Sequence, residues 1–81
     1  MVDYVIKTPR QLGAMLRGYR KDRGLTQQEI GARATVAQPT VSQMEDDPGP
    51  SALSRLLKIL AALDLELVIR ERKKTQDQTD W

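Results

Sequence analysis

The stretch Leu25–Glu45 (LTQQEIGARATVAQPTVSQME) constrains the fold most, because it predicts two short helices separated by a turn of about three residues. Thr26 and Glu29 have the spacing of a capping box, in which a hydroxyl and a carboxylate bond the free N–H groups at a helix start. A helix is therefore expected over residues 27–34. A second helix is expected over residues 38–45, where a proline in the first turn is compatible with helical structure.

The turn between these helices is Thr35–Ala37, and Gly31 lies near the point where the two helices cross. A residue without a side chain at that point lets the second helix approach closely. Two short helices joined in this way have the spacing of a helix-turn-helix unit, whose second helix enters the major groove of DNA. The stretch therefore indicates a DNA-binding domain.

Polar side chains on the second helix are the candidate base readers. Glutamine can bond N6 and N7 of adenine together, and serine or threonine can reach several base edges. Gln27, at the start of the helix expected over residues 27–34, is a candidate phosphate contact, helped by the helix N-terminus. A solvated polar face that binds nothing is the simpler interpretation, but the motif spacing favours DNA. The DNA-binding candidates are Gln27, Gln38, Thr40, Ser42 and Gln43.

A further helix is predicted on the N-terminal side of this unit. Thr8 supplies a capping hydroxyl, and Pro9 follows at a position that needs no backbone donor. Gly24 ends the helix, which is expected over residues 9–23. Its apolar residues recur at helical spacing along one stripe, formed by Leu12, Met15, Leu16 and Tyr19.

A fourth helix is predicted after the loop Asp46–Pro50, with Ser51 as its capping residue and residues 52–63 as its length. Its apolar face is wide for so short a helix. Ile59 and Leu63 fit either the core or a second subunit. The residues assigned to the core are Leu53, Leu56, Leu57 and Leu60.

Residues 65–71 change the apolar period from 3.6 to 2, which is typical of a strand. One strand cannot satisfy its own backbone groups. Residues 2–6 also alternate and are one possible partner. The same strand of a second copy is favoured, because antiparallel self-pairing fits two-fold symmetry. The dimerisation candidates are Leu65, Leu67, Val68 and Ile69.

Basic residues outnumber acidic residues in the first half of the chain. Residues 1–44 carry seven bases and three acids, an excess of four positive charges that suits a polyanion. Five of these bases lie on the helix expected over residues 9–23. We expect one or two of them to contact phosphates and the others to be surface charges. They are Arg10, Arg17, Arg20, Lys21 and Arg23.

The composition excludes several classes of protein. The 81 residues include no Cys and no His, which removes most nucleophile–base pairs and zinc sites. No apolar run approaches the roughly 20 residues that span a bilayer, and the N-terminus lacks a signal-peptide pattern. We expect a non-enzymatic cytoplasmic protein, associated with the nucleoid, with no metal or cofactor. One domain is expected over residues 1–71, followed by a flexible tail over residues 72–81.

The motif residues carry a family resemblance. Residues 12–63 resemble a Cro/repressor-type helix-turn-helix domain of the XRE kind, with LTQQEIGARA and VAQPTVSQME as its motif helices. The whole chain is similar to the HipB-type antitoxins of HipA–HipB toxin–antitoxin modules. The matching residues are Pro9, Gln11, Leu12, Gln38, Thr40–Ser42, Asp47–Pro48, Lys58–Leu60, the predicted strand and Trp81.

The resemblance implies a fold and a function. The fold is all-α, a four- to five-helix bundle of the Cro/repressor helix-turn-helix type, with a short C-terminal β-strand that pairs across a homodimer. The function is repression of the protein's own operon at palindromic DNA operators, together with binding and inactivation of a HipA-type Ser/Thr kinase toxin. Trp81 is implied as a partner-binding residue. The alternatives are a stand-alone phage-like repressor without a toxin and a pure protein-interaction module.

Two residues depart from the family pattern. Thr35 stands where glycine is usual, because the chain there often needs a positive φ, and a β-branched residue is strained by about 1–2 kcal/mol in that conformation. Either the turn differs here or some stability is lost. Ala37 stands where a capping side chain is common, which costs around 1 kcal/mol. We expect both departures to leave the fold intact.

Overall fold

The computed structural model describes residues 3–72, which contain four helices. They are α1 (Pro9–Asp22), α2 (Gln27–Ala34), α3 (Gln38–Asp46) and α4 (Leu53–Ala62). The all-α class and the helix-turn-helix arrangement are therefore confirmed. Within residues 3–72 no helix has both the length and the apolar run that a membrane crossing needs.

The first two helix starts follow local capping rules. The Thr8 hydroxyl accepts from the backbone N–H of Gln11 at 3.2 Å, and the side-chain oxygen of Gln11 accepts from the backbone N–H of Thr8 at 3.2 Å. The same reciprocal pair forms between Thr26 and Glu29, at 3.0 and 2.8 Å. These capping boxes satisfy donors that a helix start otherwise leaves free.

The turn after α2 keeps the left-handed conformation that usually favours glycine, which decides between the two alternatives left open for Thr35. Thr35 adopts φ 59° and ψ 47°, in the left-handed region. The backbone N–H of Val36 then donates to the carbonyl of Gly31 at 2.8 Å. Ala37 precedes α3 and makes no side-chain cap. Both departures from the family pattern are therefore present without loss of the helices.

The start of α4 differs from the prediction. The residue that precedes the helix at the N-cap position is Ala52, not Ser51, and it makes no side-chain cap. The carbonyl of Ala52 accepts from Leu56 N–H at 3.2 Å. Ser51 is instead drawn toward α3, where its hydroxyl donates to the Gln43 side chain at 3.4 Å.

A left-handed residue also ends α4. Asp64 adopts φ 58°, and Leu65 N–H donates back to the carbonyl of Leu60 at 2.8 Å. This 6→1 bond defines a Schellman motif, which usually places glycine at the left-handed position. Asp is one of the few other residues that adopt it readily. The motif turns the chain out of α4 and packs Leu65 against the core.

Side chains of all four helices form the core, in which α3 packs on α1 and α2, and α4 packs on α2. Leu16 of α1 and Met44 of α3 are among its fully buried side chains. The cluster is completed by half-buried residues such as Leu12 and Tyr19. The buried apolar residues are Leu16, Ile30, Ala34, Val41, Met44, Ile59, Leu60 and Leu63.

The orientation of α4 corrects the predicted core. Ile59 and Leu63 are 2% and 1% exposed, whereas Leu53 and Leu57 are 60% and 44% exposed. The assignment of Leu53 and Leu57 to the core is therefore wrong. Apolar residues cover more than one face of this helix, so their spacing alone does not say which face turns inward.

Two glycines allow the helices to cross closely. A Cβ on Gly31 would lie 2.5 Å from the carbonyl oxygen of Val36. A Cβ on Gly13 would lie 2.5 Å from the carbonyl oxygen of Glu45. Because backbone atoms cannot move aside as a flexible side chain can, α1 packs on α3 only with glycine at position 13. Gly31 keeps α2 close to the turn.

The predicted C-terminal strand is not formed within the chain. Residues 65–72 have no regular secondary structure. Arg70 lies 3.5 Å from Asp3, so the N- and C-terminal segments approach each other, but no ladder joins them. A strand needs a second strand for its backbone bonds, and the favoured partner was a second copy. The pairing across a homodimer stays a prediction, and most of the predicted tail lies outside the described residues.

Candidate nucleic-acid interface

The starts of α2 and α3 meet through two of the predicted DNA-binding residues. The amide nitrogen of Gln38 donates to the amide oxygen of Gln27 at 2.6 Å. Each of these residues is the first of its helix. The bond therefore brings together two helix N-termini, each the positive end of a helix dipole. We call this surface, formed by the first turns of α2 and α3, the polar tip. We call Gln27 and Gln38 the glutamine pair.

The glutamine pair is hydrogen-bonded to a buried carboxylate. The amide nitrogen of Gln27 donates to Oε1 of Glu45 at 3.1 Å. Glu45 is 8% exposed and also receives two bonds from Arg20, Nε to Oε2 at 2.6 Å and Nη2 to Oε1 at 3.0 Å. Nη1 of Arg20 donates to the carbonyl of Leu25 at 2.8 Å. One chain of bonds thus runs from α1 through Glu45 to the start of α3.

The pKa values of Arg20 and Glu29 are shifted from their ordinary values. The hydrogen bond from Arg20 to Glu45 raises the pKa of the guanidinium, with the attraction of the carboxylate acting in the same direction and burial opposing it. At the start of α2, the bond from the Thr26 backbone N–H lowers the pKa of Glu29 below its usual range, and the Thr26 hydroxyl lowers it further. Both groups are held in their charged forms.

The bonding of the glutamine pair leaves specific atoms for a ligand. Each primary amide has two N–H groups and one oxygen. In Gln38 one N–H is used, so its oxygen and second N–H are available, which is the donor–acceptor set that adenine requires. In Gln27 the oxygen and one N–H are used, so one N–H is available for a phosphate oxygen. The predicted roles of both residues fit these geometries.

The remaining candidates on α3 lie in different environments. Ser42 is exposed and Thr40 is half-buried. Gln43 lies toward the other end of the helix, where its amide nitrogen donates to the carbonyl of Asp47 at 2.7 Å. Ser51 occupies its oxygen at 3.4 Å. The structure therefore brings Gln27 and Gln38 together and places Gln43 apart from them.

The basic residues near α1 divide into two groups. The Arg20 side chain is 11% exposed and is paired with Glu45. The expectation that Arg20 is a phosphate contact or a surface charge is therefore wrong. Arg23 lies over the ring of Tyr19, 5.0 Å from its centroid. The residues that remain exposed and could contact phosphates are Arg10, Arg17, Lys21 and Arg23.

Sequence reasoning missed the pairing of Arg20 with Glu45. Glu45 stands beside Asp46 and Asp47, and a carboxylate in such an acidic cluster is normally expected at the surface. Helical spacing was the available signal, because Glu45 follows the buried Val41 at i+4 and shares its inward face. A charge on such a face needs a partner.

The dimerisation candidates are largely exposed. Leu67, Val68 and Ile69 are 55%, 71% and 93% exposed. Leu65 is half-buried and packs on its own core, so it has less surface to offer a second copy. The partner-binding candidate, Trp81, lies outside the described residues.

The polar tip, the short turn and the four-helix core define a DNA-binding helix-turn-helix domain. The chain belongs to the helix-turn-helix family, whose model, described as a helix-turn-helix domain, matches residues 11–71. Within that family it is an XRE-type, HipB-like protein.

Three relatives illustrate the similarity. Antitoxin HipB of Escherichia coli strain K12 is 28% identical over 74 residues, which cover 91% of this chain and 84% of that protein. A chain of a HipA–HipB–O2–O3 complex is 30% identical with a TM-score of 0.83, covering 88% of this chain and 100% of that one. A chain of a HipB–O4 20mer complex has 30% identity, a TM-score of 0.82 and the same coverage.

Proposed function

We propose that this protein is a sequence-specific DNA-binding repressor that controls its own operon and acts as an antitoxin. The observation that carries the proposal is the bond between Gln27 and Gln38, which joins the starts of the two motif helices at one polar tip. The protein itself is a binding protein without a catalytic role. It acts in the cytoplasm, at the nucleoid.

The DNA ligand is a palindromic operator. A homodimer places two copies of α3 in successive major grooves about 34 Å apart, so that each half-site meets one copy of the glutamine pair. The exposed residues Leu67, Val68 and Ile69 support dimerisation, because a long exposed apolar segment is normally covered by a partner. Leu53 and Leu57 of α4 are further exposed apolar side chains.

The protein partner is a HipA-type Ser/Thr kinase toxin, which the antitoxin holds inactive. The support is the HipB-like family and a relative that was solved within a HipA–HipB–O2–O3 complex. Trp81 contributes to this contact, because large aromatic side chains are frequent anchors at protein interfaces.

The test uses two readouts in the same cells. A HipA-type kinase toxin is expressed with the full chain, a chain lacking Trp81, or the double variant Gln27→Ala/Gln38→Ala. A reporter gene behind the protein's own promoter measures repression, and growth measures neutralisation. We expect the full chain to give both effects. The glutamine variant should restore growth without repression, and the chain lacking Trp81 should repress without restoring growth fully.

Each part of the proposal has its own contradicting result. A reporter that is equally active with and without the full chain would contradict the repressor. Repression without any effect on growth would leave a stand-alone repressor and contradict the antitoxin. Growth rescue without repression would leave a protein-interaction module.

A further inference from the structure

The second residue of α3 is a proline whose ring is exposed to solvent. Pro39 lies next to Gln38 in the turn that a helix-turn-helix protein inserts first into the major groove. It has no backbone N–H, and the N–H of Thr40 is already bonded to the carbonyl of Ala37 at 2.9 Å. The backbone of this turn is therefore a poor donor to base acceptors.

The outward face of α3 around Pro39 is less polar than its sequence indicates. At 100° per residue, Pro39 lies between Ser42 and Gln43 on the face opposite the buried Val41. The amide nitrogens of the two flanking glutamines donate internally, Gln38 to Gln27 at 2.6 Å and Gln43 to Asp47 at 2.7 Å. The centre of this face is the apolar ring of Pro39. Gln38 and Gln43, on either side of it, each have one amide N–H already bonded within the protein.

The base edges in the major groove present one apolar group, the C5-methyl of thymine. We infer that Pro39 is a specificity-determining residue that selects thymine in each half-site by packing its ring on that methyl group. This inference rests on the proposed DNA-binding function. Cytosine at the same place would turn an N4–H₂ donor toward a ring that cannot accept it, and an unsatisfied donor is costly.

The first step of the test is to find the binding site without assuming it. A library of double-stranded DNA with a randomised central segment is selected against the wild-type protein. We expect an enriched inverted repeat with an invariant thymine in each half. Failure to enrich any sequence would contradict the proposed DNA-binding function itself, and the inference with it.

The second step removes the methyl group alone. Each thymine of the selected duplex is replaced singly by deoxyuridine, and the affinity of the wild-type protein is measured by fluorescence anisotropy. We expect about a fourfold loss at one thymine per half-site, the amount expected for one buried carbon. An enriched site at which every thymine tolerates uracil equally would overturn the inference and leave the DNA-binding function standing.

The third step assigns the effect to Pro39. In Pro39→Ala the deoxyuridine penalty at that position should fall, because the ring atoms beyond Cβ that contact the methyl are gone. Asp46→Asn, about two turns further along the same exposed face of α3, should keep the penalty and serves as the matched control. Thermal unfolding by circular dichroism verifies that both variants are folded. A penalty that persists unchanged in folded Pro39→Ala would assign the methyl contact to another residue and overturn the inference.

Discussion

Arg20 and Glu45 are 25 residues apart in the sequence and are joined by two hydrogen bonds, Nε to Oε2 at 2.6 Å and Nη2 to Oε1 at 3.0 Å. The side chains of the pair are 11% and 6% exposed. The same carboxylate holds Gln27, which in turn accepts from Gln38. One ion pair therefore ties α1 to α3 and also orients the polar tip.

Removing the carboxylate charge is expected to destabilise the fold. In Glu45→Gln the guanidinium of Arg20 loses its counter-charge while largely buried, and breaking one partner of such a pair costs about 3 kcal/mol. Urea unfolding at pH 7 measures the change. Asp46→Asn, which alters the adjacent exposed carboxylate, is the matched control and should change stability by less than about 0.5 kcal/mol. Equal effects of the two substitutions would contradict a structural role for the pair.

Replacing both partners should separate stability from DNA recognition. The double variant Arg20→Met/Glu45→Met leaves no unpaired charge, so its stability should return to within about 1–2 kcal/mol of the wild type. Gln27 would still lack the acceptor that orients it, so sequence discrimination should remain reduced. Urea unfolding and competition binding with specific and random duplexes measure the two properties. Full recovery of discrimination would show that Glu45 has no positioning role.

The glutamines on α3 should contribute unequally to recognition. Gln38→Ala removes a side chain with a free oxygen and N–H at the polar tip, and should reduce discrimination by about 1–3 kcal/mol. Gln43→Ala should have a smaller effect, because its amide nitrogen already donates to Asp47. Anisotropy titrations with the selected site and single-base variants test this order. A larger effect at Gln43 would place the base contacts further along the helix.

The left-handed conformation of Thr35 predicts a stabilising substitution. Thr35→Gly removes the clash of a β-branched residue at φ 59°, at the cost of a more flexible unfolded chain, for a net gain of about 0.5–1 kcal/mol. Thr40→Gly, within α3, is the control and should lose about 0.3 kcal/mol, the difference in helix propensity between the two residues. Thermal and urea unfolding measure both changes. A loss of stability in Thr35→Gly would mean that the threonine is not strained there.

The lowered pKa of Glu29 predicts part of the acid sensitivity. The unfolded chain binds a proton at Glu29 more readily than the folded chain does, so the stabilising bond is fully present above the unfolded pKa near 4.5. That contribution declines as pH falls through the lower folded pKa. Thermal melts from pH 6 to pH 3 should therefore fall less steeply for Glu29→Gln than for the wild type. Parallel curves for the two proteins would be inconsistent with this linkage.

Local rules predicted the parts of the fold that depend on neighbouring residues. The capping hydroxyl of Thr8, the capping box of Thr26 and the uncapped Ala37 were predicted, because each depends on residues within about four positions. These features set the turn and the two motif helices, and so locate the candidate interface. The conformation of Thr35 was left open, and the predicted cap at Ser51 was wrong.

The features that sequence reasoning missed depend on distant residues or on orientation. Arg20 and Glu45 meet only after α1 and α3 have packed, and charged residues are normally exposed. The inward face of α4 was ambiguous, because Leu53 and Leu57 are as apolar as Ile59 and Leu63. The segment after Leu65 has the strand pattern, but pattern cannot supply the second strand whose backbone it needs.

The most direct measurement of the central claim is a heteronuclear NMR titration of the folded protein with its selected operator duplex. It follows the backbone and the side-chain amide signals of Gln27 and Gln38. The account predicts that the largest shifts occur in these two side chains and in the first turns of α2 and α3. Shifts confined to α4 and the C-terminal segment, with the signals of the glutamine pair unchanged, would contradict DNA recognition by this tip.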